Sequence, residues 1–132
     1  MTPIVWPDVE LEVTGYLRAN LPTYYAEQVR VSTKYTGLAR EVVIRRDGGG
    51  QLDQIRETAR LGVNVYATAK TDQAVSNLAR TVVALLVASP DGDPIVNARM
   101  MSGPSPIPES GDLTHRYLTF ELTVRGTALQ GV

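Results

Sequence analysis

Cysteine is absent from this chain of 132 residues, so disulfide staples and thiolate metal sites are closed to it, and its fold asks for no oxidising compartment. Histidine occurs once, as His115, which takes away the other common transition-metal ligand. A surplus of positive charge is also lacking. The 13 Lys and Arg stand against 14 Asp and Glu, a net charge of -1, and that balance offers no sequence-independent grip on nucleic acid. Long apolar runs are missing: the longest, residues 82 to 88, falls far short of the roughly 20 residues that a membrane span needs. The N-terminal MTPIVWPDVELE has no basic patch leading into an apolar stretch, as a signal peptide would. These absences lead us to expect a soluble, cofactor-free single domain over residues 1–132.

Lysine is nearly missing too, because 11 of the cations are arginine and only Lys34 and Lys70 are lysine. Arginine's rigid, weakly hydrated fork suits protein interfaces. A GC-rich genome produces the same bias without any function, so this feature alone decides neither.

What is present reads as alternating helices and strands. Asp8 can cap a helix with Val9, Val13, Tyr16, Leu17 and Leu21 on one stripe and Glu10 and Glu12 in its first turn, ended by Asn20 and Pro22. Residues 28–33 and 41–46 are extended around a turn at Gly37, which suggests a hairpin. Residues 58–68 alternate strictly, with Ala59, Leu61, Val63, Val65 and Ala67 on one face. Thr71 or Asp72 then caps the strongest helix, whose stripe is Val75, Leu78, Ala79, Val82, Leu85 and Leu86. Residues 95–101 and 116–124 read as strands. Between them, 102–114 hold three prolines and two glycines and read as a loop or arm. Two amphipathic helices and about five strands give an α+β fold, both helices packed on one face of a mostly antiparallel sheet. The other face, rich in Tyr, Thr, Arg and Glu, is either wet or an interface.

RRDGGG, residues 45 to 50, resembles a phosphate loop but leads into a strand instead of a helix N-terminus, and it lacks the Lys and Ser or Thr at fixed offsets. Five arginines and four acids across residues 40–60 suit pairing with another copy of the chain better than gripping a polyanion. His115 has no Ser or Cys motif beside it and reads as an ordinary strand-edge residue. DGD at 91–93 could hold Mg²⁺ or Ca²⁺, though an Asp-Gly turn explains it more simply. Tyr24 and Tyr25 are either an interface anchor or a seal on the core. We expect neither catalysis nor a cofactor.

Three stretches taken together, VVIRRDGGG, GVNVYATAKTDQAVSNLARTVVALL and the Gly-Pro arm leading to RYLTFELTVRG, resemble the tail terminator, or tail-completion, proteins of long-tailed phages of actinobacterial hosts. The likeness runs from about residue 9 to 126 and contains no catalytic signature. It implies a virion protein of the tail neck, assembled in the host cytoplasm. Such a protein closes into a six-subunit ring on the tail tube, stops its polymerisation and meets the head-tail connector, with DNA passing through the lumen. The residues expected at subunit or partner interfaces are Arg45, Arg46, Asp47, Arg56, Gly103, Pro104, Pro106, Pro108, Tyr117 and Arg125. A head-to-tail stopper is the nearest alternative. A monomeric anion-binding module using RRDGGG and a hydrolase using His115 are the readings from other classes.

Overall fold

The computed structural model describes residues 2–68 and 72–131. Its elements in chain order are β1 (Ile4–Val5), α1 (Val9–Tyr24), β2 (Arg30–Ser32), β3 (Arg40–Gln51), β4 (Arg56–Thr68), α2 (Asp72–Val87), β5 (Ile95–Pro106), β6 (Leu113–Arg125) and β7 (Thr127–Ala128). Five strands form one sheet in the order β2-β3-β4-β6-β5, and β1 pairs with β7 in a small second sheet that the sequence did not suggest. The fold is α+β, as expected.

The periodicities explain the core. The alternating residues Ala59 to Ala67 of β4 and Leu118, Phe120, Leu122 and Val124 of β6 join the stripes of both helices in a single buried cluster. Each fully buried aliphatic side chain there contributes about 1.5–3 kcal/mol relative to exposure. Asp8 caps α1, its carboxylate accepting from the Leu11 amide at 3.1 Å. The Tyr16 hydroxyl donates to the Leu85 carbonyl at 2.6 Å and ties α1 to α2. At the start of α2, Asp72 occupies the first turn, while Thr71, the other candidate cap, lies outside the described residues.

Five local expectations are corrected. Helix α1 runs through Pro22 to Tyr24, because a proline in the last turn removes one hydrogen bond only, and the Tyr25 amide still closes onto the Leu21 carbonyl at 2.9 Å. Strands β2 and β3 are parallel, not a hairpin. With β2 only three residues long, the 33–39 segment is long enough to return the chain to the start of β3. That return is held by the buried Glu41 carboxylate, which accepts from the Thr36 hydroxyl, from the Thr36 amide (3.1 Å) and from the Gly37 amide (3.2 Å).

The three glycines of RRDGGG belong to β3 and are paired with β4, and the loop expected there is reduced to residues 52–55. A bulge between Arg46 and Gly48 sets Asp47 apart from the ladder. Likewise, residues 102–106 are strand: β5 is the sheet edge, where a proline's missing N–H can face outward, and the extra residues are absorbed by three register shifts. Gly103 has φ +85°, and a Cβ there would meet the Tyr117 carbonyl oxygen. Only 107–112 remain as loop. Finally, His115 is buried on a strand flanked by β4 and β5 and is no edge residue.

Candidate subunit interface

The helix-free face of the sheet is polar and densely cross-linked. His115 Nε2 lies 2.7 Å from Asn64 Oδ1 and Nδ1 lies 2.8 Å from Glu109 Oε1, so the ring ties the 107–112 loop to β4. The Tyr66 ring stacks on the imidazole, centroids 4.2 Å apart, and meets the Tyr35 ring at a tilt of 39°, centroids 4.4 Å apart. Burial, followed by the nearby carboxylates and the Tyr35 hydroxyl, pushes the Tyr66 phenol up. Both imidazole nitrogens are engaged, by Asn64 and by Glu109, an arrangement that anchors the loop.

Toward the middle of this face the Tyr117 hydroxyl donates to Asp47 Oδ2 at 3.4 Å, and its own ionisation is pushed up by burial and then by that carboxylate. Gly62 makes room for the pair, since a Cβ there would sit 3.0 Å from the Tyr117 hydroxyl. Further along, Glu121 lies between two arginines, 3.1 Å from Arg99 and 3.9 Å from Arg60. With side chains this exposed, such pairs contribute at most about 1 kcal/mol each. Their effect is to hold both guanidinium groups over the sheet.

The residues expected at interfaces are spread over three regions. Asp47 and Tyr117 meet on the free face. Arg56 pairs with Asp53 in the β3–β4 turn at 2.6 Å and is in register with Arg125. Gly103, Pro104 and Pro106 lie along β5, and Pro108 lies in the loop that follows.

Arg45 and Arg46 are separated by the pleat. The Arg46 guanidinium is engaged within the chain, 3.0 Å from Glu57 Oε1 and also bonded to the Gly48 and Thr58 carbonyls. Arg45 stays out, its side chain 65% exposed and 3.6 Å from Glu10.

Both edges of the large sheet are blunted against strand addition. Glu10 Oε2 accepts the Arg46 amide at 2.7 Å, capping β3 beyond the end of β2, and the Asp47 bulge breaks the line of the strand. On the opposite side β5 carries Pro104, Pro106 and its register shifts, while Val96, Met100 and Met101 are exposed along it. At both edges, then, side chains are offered to solvent in place of a long row of free backbone groups.

Of Arg18, Arg30 and Arg40, which line one groove along β2, the sequence pointed only to Arg40, as one of the five arginines of residues 40–60. They come from α1, β2 and β3, and no linear spacing marks them. Tyr24 is exposed and Tyr25 packs on the core, so of the adjacent tyrosines Tyr25 is the one that seals it. In the 89–94 turn, Asp91 Oδ1 accepts from the Asp93 amide at 3.1 Å. Among the described residues no group of three or more His, Asp or Glu is placed to hold a metal ion, and no helix is long and apolar enough to cross a membrane.

The fold is similar to that of a chain in the solved structure described as the virion of a native gene transfer agent particle. The TM-score is 0.68 at 17% identity, over 89% of this chain and 95% of that one. At this identity the likeness is one of fold. No protein-family model matches the chain, and no curated protein matches it in sequence.

Proposed function

We propose that this chain is a structural protein of a phage-like virion, a tail terminator that forms a homomeric ring, a hexamer on the resemblance, at the end of the tail tube. There it stops tube polymerisation and joins the tail to the connector or stopper protein, while DNA passes through the lumen without specific binding. A head-to-tail stopper is the nearest alternative within this reading. The observation that carries it is the fold likeness to a virion chain, near-complete over both partners. The geometry is compatible: a ring needs two different patches per subunit, and Arg45 lies at the β3 edge while Pro104 and Pro106 lie at the opposite β5 edge. The polar, internally paired free face is one that can stand in water or meet a partner without exposing apolar surface.

The test is the mass of the purified protein by light scattering, alone and with tail tubes. We expect a ring, or recruitment to tube ends. A chain that stays monomeric at high concentration and leaves tubes uncapped rejects the reading. Removing residues 103–111 would take away the last third of β5, so the informative changes are confined to exposed side chains. Arg45→Glu and Met101→Glu, at opposite edges, should each weaken assembly tenfold or more with the far-UV CD spectrum unchanged, and the Arg45 effect should shrink at high salt.

A further inference from the structure

Resting on the ring reading, we propose that the groove along β2 receives the acidic 89–94 turn of a second copy of this chain. Two adjoining cavities of about 400 and 860 Å³ run along the outer side of β2 and share Arg18, Val29 and Val31 in their walls. The larger is lined by Arg18, Arg30 and Arg40 against a single acid, Glu27, with Val29 and Leu38 as apolar floor.

None of the three guanidinium groups is fully engaged within the chain. Arg18 donates through Nε to the Val31 carbonyl at 2.8 Å, and Arg30 stands 3.9 Å from the buried Glu41 with its side chain 46% exposed. Arg40 Nε is buried and finds no hydrogen-bond partner among the described residues. A buried donor of this kind is destabilising until an acceptor reaches it.

The complement stands at the other end of the strand order. The 89–94 turn, SPDGDP, leads into β5, and the Arg125 amide donates to the Pro94 carbonyl at 2.8 Å, which places the turn at the β5 edge. Asp91, Gly92 and Asp93 are exposed, and the segment contains no cation. Its shape is set beforehand, because the Asp91 and Gly92 amides both donate to the Ile95 carbonyl, at 3.2 and 3.0 Å. A preorganised turn loses little entropy on docking. Arginine forks are suited to receive two carboxylates in fixed positions. Because groove and turn lie at opposite edges of one sheet, their pairing is head-to-tail, the heterologous contact that closes a ring.

The first measurement is assembly of Asp91→Arg/Asp93→Arg beside the wild type, by sedimentation, with far-UV CD and Tm as checks on folding. We expect the variant to assemble at least tenfold more weakly. The second is fluorescence anisotropy of a labelled, end-blocked peptide of residues 88–95 titrated with the wild-type chain. Binding should fall as salt rises and be lost when both aspartates are replaced by asparagine.

If the wild type forms a ring and the doubly substituted chain does so equally well, the docking proposal is overturned and the ring reading stands. If the wild type is monomeric and leaves tubes uncapped, the ring reading fails and the proposal falls with it. A peptide that binds equally well without its carboxylates also overturns the proposal.

Discussion

Replacing Glu41 by alanine is expected to destabilise the chain by about 2–4 kcal/mol, and replacing it by glutamine by somewhat less. Glu41 is fully buried and accepts from the Thr36 hydroxyl and from the amides of Thr36 and Gly37, so truncation strands all three donors. Glutamine keeps one acceptor oxygen, and only the Thr36 hydroxyl can turn to accept from its NH₂, because the Thr36 and Gly37 amides are donors alone. Burial by itself would raise the carboxyl pKa. The hydrogen bonds from Thr36, Gly37 and Leu38 outweigh burial and hold it below the usual carboxylate range.

A depressed carboxylate stabilises the fold fully above its unfolded pKa, near 4.3, and that contribution is lost as pH falls through the lower folded value. The stability gap between wild type and Glu41→Gln should therefore be widest at neutral pH and narrow below about pH 4. Urea denaturation across that range measures it. A gap unchanged down to pH 3 would show that the charge of Glu41 contributes nothing.

Gly49→Ala should cost roughly 3 kcal/mol or more, while Gly50→Ala one residue on should change stability by less than about 1 kcal/mol. Gly49 sits at φ +104°, and a Cβ there would overlap the Thr58 carbonyl oxygen and lie 2.8 Å from Ala59 Cα. Both are β4 backbone, so neither can swing aside. At Gly50 nothing lies within 4 Å of the added carbon. Thermal unfolding of the two variants side by side gives the comparison. Equal losses would mean that the β3–β4 ladder is looser around the bulge than its register indicates, and that the glycines act through the unfolded chain instead.

Much of the scaffold was legible in the residues. The stripe from Val75 to Leu86 and the alternation from Ala59 to Ala67 report burial directly, because each period matches the geometry of its element and one face must be dry. The free face could also be read in outline, since Tyr66, Tyr117, Thr119 and Glu121 alternate with core residues. The errors fell where composition and pairing disagree. Three glycines and three prolines read as breakers, yet Gly48 to Gly50 lie paired opposite β4, and Pro104 and Pro106 lie in an edge strand. The cost of a missing donor depends on whether a neighbouring strand needs it, and that neighbour is not visible along the chain.

The candidate interface divides in the same way. Arg45 and Arg46 are adjacent in sequence and alike in chemistry, but the pleat sends one outward and the other onto Glu57. Arg18, Arg30 and Arg40 lie far apart in the chain and reach one groove only after α1, β2 and β3 have packed. By itself the sequence determined which faces are apolar, that both helices share one side of the sheet, and that charge is balanced overall, because period and composition are local or summed properties. The tertiary structure alone decided strand direction, bulge position and which charges stand together, because each depends on contacts between segments distant in the chain.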